Sequence, residues 1–249
     1  MREAVEQLLL PAECALCRTL LSFDNSRRLV CDVCRHRWRA VLPPWCERCG
    51  QPEPRFGACR LCAAWPDALR AARSAVWLEG GAREAAHALK YGGLPRIAED
   101  LAVAMARVAL PGRDTAWLVP VPLGPARRKQ RGYNQSEHLA RALARRWRRP
   151  VVDALARTRD TAAQTALTPA ARLANVAGAF QLRISDWGLR IGRSSVESAI
   201  RNPKSAIVLV DDVFTTGATL AEAARALERA GARTVLAVTF GRAVLPDFT

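Results

Sequence analysis

Apolar positions along this 249-residue chain change their spacing several times, and each change marks an element. Ile207 to Val210 is an unbroken apolar run, the pattern of a strand buried on both faces. Asp211 and Asp212 end it. A loop of small and hydroxyl residues follows from Thr215 to Thr219, and Leu220 to Ala230 then reads as a helix with Leu220, Ala223, Ala224 and Leu227 on one face. Thr234 to Phe240 predicts another strand. Upstream, Ser74 to Leu78 and Trp117 to Val121 predict strands. Ala82 to Leu89 and Ile97 to Ala109 predict helices interrupted at Gly92-Gly93. Asn134 to Trp147 predicts a helix, with Leu139, Leu143 and Trp147 four apart and a capping box at Asn134-x-x-Glu137. Val151 to Leu155 predicts one more strand. Strands alternating with helices predict an α/β fold built on a parallel sheet.

The first quarter follows no such pattern. It holds four C-x-x-C pairs, Cys14/Cys17, Cys31/Cys34, Cys46/Cys49 and Cys59/Cys62, and no cysteine follows Cys62. Each pair sets two sulfurs on one side of a knuckle, and two knuckles close a tetrahedral Cys₄ site. Eight cysteines therefore predict two structural Zn²⁺ sites. A disulfide framework is the competing reading, and it conflicts with the short, acidic start of the chain, which lacks a signal-peptide pattern. Short loops favour consecutive pairing of the knuckles, and an interleaved arrangement stays open. The segment also carries Arg27, Arg28, Arg35, Arg37, Arg39, Arg48 and Arg55 with Trp38 and Trp45, a mixture that suits either packing or contact with nucleic acid. Met1 to Pro11 reads as a short amphipathic helix. Trp65-Pro66 closes the zinc region, which divides the chain into residues 1–68 and 69–249.

A strand, two acids, a Thr/Gly loop and a helix together suit a sugar phosphate. Loop N–H groups, hydroxyls and the positive helix end can surround a phosphate, and carboxylates can accept hydrogen bonds from ribose hydroxyls. A second candidate is the Pro-rich stretch Pro120 to Gln135, read as a long loop at the carboxyl end of a strand. It places Arg127, Arg128, Lys129 and Arg131 beside Gly132, a cluster able to hold a pyrophosphate or a DNA backbone. Arg157 to Asn175 predicts a flap over the site, and Arg183 to Ser205 an exposed insertion with no assigned chemistry. His36, His87 and His138 stand alone and read as structural or surface residues.

The formal net charge is +15, nearly all from arginine, since Lys90, Lys129 and Lys204 are the only lysines. That balance favours a polyanionic partner or a solvated basic surface. No apolar run reaches the roughly 20 residues of a membrane span, so a cytoplasmic protein without membrane insertion is expected.

Residues 207–219 resemble the 5-phosphoribosyl-1-pyrophosphate (PRPP) motif of type I phosphoribosyltransferases. The resemblance implies that Asp211 and Asp212 face the ribose and that Thr215, Thr216, Gly217, Ala218 and Thr219 hold the 5-phosphate, with Mg²⁺ accompanying PRPP. The ordered set of four knuckles, Lys90-Tyr91-Gly92-Gly93, Pro120-Val121-Pro122, Arg131-Gly132-Tyr133-Asn134-Gln135, Thr161-x-x-Gln164, Arg172-x-x-Asn175-Val176 with Gly178-Ala179-Phe180, and the 210–219 motif resembles the ComF family. These are competence proteins that join a double zinc ribbon to a phosphoribosyltransferase domain. The resemblance implies handling of single-stranded DNA during natural transformation, with competence or recombination proteins as partners. An active Mg²⁺-dependent phosphoribosyltransferase on an unknown acceptor is the alternative. Members of that enzyme class acting on 6-oxopurines carry an acid where Thr215 stands, and a threonine does not ionise to do that work near neutral pH.

Overall fold

The computed structural model describes residues 12–22, 28–52, 59, 61–160, 176–183, 200 and 205–244. The expected helix at Met1 to Pro11, most of the expected flap and nearly all of the expected insertion lie outside them.

In chain order the elements are α1 (Asp32–His36), β1 (Leu69–Trp77), α2 (Gly80–Tyr91), a 3₁₀ turn (Pro95–Ile97), α3 (Ala98–Ala106), β2 (Trp117–Pro120), α4 (Pro125–Arg131), α5 (Gln135–Trp147), β3 (Leu155–Arg157), β4 (Phe180–Leu182), β5 (Ile207–Phe214), α6 (Ala218–Arg229) and β6 (Val235–Arg242). The main sheet has the order β1-β6-β5-β2, and every pairing in it is parallel. A sheet of this kind has to be covered on both faces, and alternation along each strand feeds two cores. Val208 and Val210 of β5 join Leu89, Leu101, Met105, Leu139 and Leu143 from α2, α3 and α5. Ile207 and Leu209 join Leu220, Ala224 and Leu227 from α6, with Leu155 and Phe180 beside them.

The cysteine-rich segment completes this body. Cys14, Cys34 and Trp38 enter the first core, while Cys49, Cys62 and Trp65 enter the second. Trp38 meets Phe240 edge-on at 5.1 Å between ring centroids, and Trp65 meets Phe214 at 6.1 Å. Backbone bonds from the same segment cover the outer edge of β1. Val41 N donates to Ala75 O at 3.1 Å, Trp77 N to Arg39 O at 2.9 Å and Ala72 N to Arg48 O at 2.8 Å. An uncovered edge would offer these groups to another chain. The Arg48 guanidinium is not turned to solvent for nucleic acid. It donates to four carbonyls, those of Leu69 at 3.2 Å, Cys62 at 3.3 Å, Trp65 at 3.2 Å and Pro66 at 2.8 Å.

Several elements differ from their sequence reading. Strand β1 begins five residues before Ser74, because Arg73 is itself buried, donating to Ala72 O and Glu47 O. Strand β5 continues through both acids to Phe214, with Asp211 opposite Thr239 on β6. The stretch Val151 to Leu155 forms one parallel bridge, Leu118 to Val151. The ladder starts only at Leu155, in a separate antiparallel pair with β4. Residues 125–131 are a helix rather than loop. Pro125 sits in its first turn and Gly132 closes it at φ 79°, the Pro-in, Gly-out pattern of a short helix. Asp160 accepts from Ala126 N at this helix start. Asn134 caps α5 by accepting from Ser136 N at 3.1 Å. Glu137 turns instead to Arg128 and Arg141.

Arg48→Ala strands four carbonyls at the junction of ribbon and sheet. We expect a loss of about 2–3 kcal/mol, the scale of hydrogen bonds to a charged group, read from urea unfolding of the zinc-loaded protein. Arg39→Ala breaks the exposed surface pair with Glu79 and should shift the urea midpoint far less than Arg48→Ala does.

Candidate functional site

At the carboxyl ends of β5 and β2, where parallel sheets bind ligands, lies a cavity of about 490 Å³. Its floor is the acid pair. Asp211 and Asp212 are 8% and 4% exposed, so their charge needs partners inside the protein. Lys90 Nζ, at the carboxyl end of α2, stands 2.8 Å from Asp212 Oδ2. Ser136 Oγ, in the first turn of α5, donates to Asp211 Oδ1 at 2.9 Å, and Asp212 N donates to the same oxygen at 2.9 Å. Burial, with the neighbouring Asp212 charge, raises the Asp211 carboxyl to about 7. Burial opposes the Lys90 ammonium, but the charges of Asp212 and Asp211 outweigh it and hold Lys90 above the usual lysine value.

One wall is the turn into α6. Thr215, Gly217, Ala218 and Thr219 line the cavity. Gly217 is the N-cap of α6 in the left-handed region, at φ 76°. A 12-residue helix thus turns its positive end to the cavity, an arrangement suited to an anion. Thr216 lies behind this wall, 5% exposed, and its buried Oγ1 has no hydrogen-bond partner among the described residues.

The opposite wall is cationic. Arg127 and Arg131 of α4 and Arg157 of β3 line the cavity. Burial lowers Arg157 below the usual arginine value, and the nearby Arg127 charge adds to that. An anionic ligand relieves such crowding of like charge. Arg131 Nη1 donates to Gln135 Oε1 at 2.5 Å, which aims it along the cavity. Of the other residues expected in this cluster, Arg128 pairs with Glu137 at 3.0 Å. Lys129 and Gly132 are exposed outside the cavity. Arginines in and just after α5 are also engaged. Arg145 and Arg146 hold Glu99, and Arg149 Nε donates to Ala116 O at 3.0 Å.

Sequence reasoning left Lys90, Gln135, Ser136 and Arg157 out of the site. The usable signal was Lys90, a rare lysine in an arginine-rich chain and part of the 90–93 motif. Its partner Asp212 is distant in sequence, so spacing alone does not pair them.

The eight cysteines form two tetrads, Cys14/Cys17/Cys31/Cys34 and Cys46/Cys49/Cys59/Cys62, each with its sulfurs within 4.8 Å of one another. The knuckles therefore pair consecutively. Zn–S bonds of about 2.3 Å in a tetrahedron place sulfurs about 3.8 Å apart. Cys17 and Cys31 sulfurs are 3.7 Å apart, Cys46 and Cys62 3.7 Å, Cys49 and Cys59 3.4 Å. Burial pushes the Cys34 and Cys49 thiols far up and Cys62 up to about 12. A bound Zn²⁺ reverses that, because it ligates the thiolate. All four positions of each site are protein sulfurs, the closed set of a structural ion.

The raised Asp211 carboxyl has a consequence for stability. In the unfolded chain it ionises near its ordinary value of 3.8, and in the fold near 7. Between those values the folded state holds more protons, so this group's contribution to stability falls as pH rises. Melting temperature followed from pH 4.5 to 8 should decline less steeply in Asp211→Asn than in the parent protein. An identical decline in both would show that Asp211 does not titrate in this range.

Comparison with known proteins fits this geometry. Residues 5–63 match a double zinc ribbon domain and residues 131–243 a phosphoribosyl transferase domain. The chain is 31% identical to DNA utilization protein YhgH of Escherichia coli O6:H1, over 92% of this chain and 96% of that protein. It is 33% identical, with the same coverage, to the Salmonella typhimurium protein of that name. It is 27% identical to Competence protein ComFC of Bacillus subtilis, over 88% of this chain and 89% of that protein. Two ribbons built on cysteine tetrads, packed on a parallel phosphoribosyltransferase sheet and shared with these relatives along nearly the whole chain, make this protein a member of the ComF family.

Proposed function

We propose that this protein handles single-stranded DNA in the cytoplasm during DNA uptake or utilisation, around a site for a phosphoribosyl ligand of the PRPP type. The observation that carries the reading is continuity between an anion cavity and a cationic, aromatic rim. Arg127, Arg131, Lys90 and Tyr91 line both the acid-pair cavity and an adjoining space of about 310 Å³. Tyr91 is 67% exposed, with the Arg131 guanidinium 5.0 Å from its ring centroid. An open aromatic ring beside arginines is the chemistry that binds unpaired bases and their phosphates. The names of the relatives, DNA utilization and competence proteins, support the same reading. Competence or recombination proteins are the recipients of the strand in it.

In the ligand site, Asp211 and Asp212 accept hydrogen bonds from the ribose hydroxyls. The turn at Thr215 to Thr219 takes the 5-phosphate on N–H groups and hydroxyls. Arg127 and Arg131 face the pyrophosphate end. Mg²⁺ supplies charge neutralisation on the pyrophosphate when bound with PRPP. Lys90 supplies the counter-charge to Asp212. The zinc ribbon of residues 1–68 and the body of 69–249 act as one unit here.

Calorimetric titration tests the ligand site. Asp211→Asn combined with Asp212→Asn should lower PRPP affinity in the presence of Mg²⁺ by about 100-fold or more, an order set by losing several charged hydrogen bonds. The fold stays intact by circular dichroism. Unchanged affinity would remove the ribose role from the acid pair.

A second measurement addresses DNA. Arg127→Ala with Arg131→Ala should reduce the salt slope of oligothymidine binding by about 1.4, the value for two lost contacts on single strands. Tyr91→Ala should weaken the same binding by about 1–3 kcal/mol. A slope that does not move would place the DNA contact elsewhere on the molecule.

A further inference from the structure

The geometry points to the second zinc ribbon as the positioning element of the phosphate turn, a role the first ribbon does not share. This inference rests on the reading of Thr215 to Thr219 as a phosphate site. Phe214, the last residue of β5, leads into that turn. Its ring touches two groups, each tied to a different knuckle of the second tetrad. One is Trp65, at 6.1 Å between centroids, whose backbone N–H donates to Cys62 O at 3.2 Å. The other is Arg242, whose guanidinium lies 4.2 Å from the Phe214 ring centroid. Arg242 Nη1 donates to Cys49 O at 3.0 Å and Nη2 to Gln51 Oε1 at 2.7 Å. Arg242 is 1% exposed, and burial lowers it to about 10. A buried guanidinium aimed at a ring and a knuckle carbonyl is a rigid strut, since neither end can be given up without loss.

Gly217 closes the linkage. A Cβ there would lie 2.6 Å from Trp65 Cζ2 and 3.0 Å from Phe214 Cζ. The indole therefore presses directly on the left-handed residue that caps α6 and opens its N–H groups to the cavity. The Trp65 backbone N–H and Arg242 Nη1 bind carbonyls of cysteines from both knuckles, so the ion that joins the knuckles fixes the spacing between Trp65 and Arg242. The first ribbon has other neighbours. Trp38 packs on Phe240 and near Gly81, and Leu29 N donates to Asp100 of α3 at 2.9 Å. Preorganised donors bind an anion more tightly than donors that must first be ordered. Phosphate affinity thus depends on the second Zn²⁺ site and is insensitive to packing at the first.

The test compares zinc-loaded full-length Trp65→Leu, Trp65→Phe and Trp38→Leu with the parent protein. Each is titrated with PRPP and Mg²⁺, and amide exchange is followed in residues 214–220. Trp65→Leu should weaken PRPP at least tenfold and speed exchange in the turn. Trp65→Phe keeps a ring on Phe214 and should recover most of both. Trp38→Leu, lowering the melting temperature comparably, should leave affinity within twofold. Equal losses from the two leucine variants would reduce Trp65 to general stability and overturn the inference, as would a Trp65→Leu protein with parental affinity and exchange. A parent protein that does not bind PRPP would remove the ligand reading alone, because the exchange comparison still decides the strut. If Trp65→Leu does not fold, Arg242→Gln carries the same comparison. Cys59→Ser against Cys17→Ser, with zinc content measured, then asks whether losing one ion or the other loosens residues 214–220.

Discussion

A parallel sheet hides both of its faces and leaves two edges to be dealt with, and in this protein that constraint recruits the zinc ribbons into the body of the fold. Four strands with three helices on one side and α6 on the other do not cover β1 completely. The ribbon segment supplies what is missing, with backbone bonds at Arg39, Val41 and Arg48 along the edge and a tryptophan for each core. A small ribbon has little core of its own and draws its order from an ion. The two parts are therefore interdependent. The ions order the knuckles, the knuckles cover the sheet, and the sheet gives Trp38 and Trp65 somewhere to be buried.

The second organising cost is charge. Two adjacent carboxylates inside a central strand are expensive to bury, and the partners that make this tolerable come from separate helices, Lys90 from α2 and Ser136 from α5. The acid pair thereby ties the end of α2 to the start of α5. Asn134, which caps α5, also donates its side-chain N–H to Val121 O at 3.0 Å, and Tyr133 Oη donates to Leu89 O at 2.5 Å. The start of α5, the end of α2 and the loop after β2 are thus locked together at the rim of the cavity. Structure and site chemistry share the same bonds.

Much of this was legible in the sequence where residue type is tied to a specific chemistry. The Ile207-to-Thr219 motif and the four knuckles identify themselves, because packing alone calls for neither adjacent acids nor repeated C-x-x-C. Regular periodicity located α5 and α6 to within two residues. Legibility failed where tertiary contacts decide. The stretch 125–131 reads as loop because it is Pro-rich and follows the carboxyl end of a strand, although Pro125 and Gly132 mark a helix start and stop. Strand β4, three residues long, has no periodicity to detect. Lys90 acquires its role only through Asp212, and Arg48, which in sequence suits either packing or nucleic-acid contact, is assigned to packing only by the carbonyls that hold it. Of the candidate phosphate residues, Thr216 was assigned by motif position, and its burial behind the wall is a matter of the turn's rotation.

The two ribbons look alike in sequence, yet the sheet makes them unequal. In a parallel sheet all strands deliver their carboxyl ends to one rim, so an element packed on one face can reach the turn that leaves β5 while its twin on the other face meets helix sides. Trp38 meets Phe240, within β6. Trp65 meets Phe214, at the point where β5 ends and the turn begins. That difference of position along the strand, rather than any difference in the metal sites, is what places one ribbon against the turn that leaves β5 and the other against β6. Duplicated ribbons on opposite faces of a polar sheet are therefore free to diverge in function while keeping the same cysteine framework.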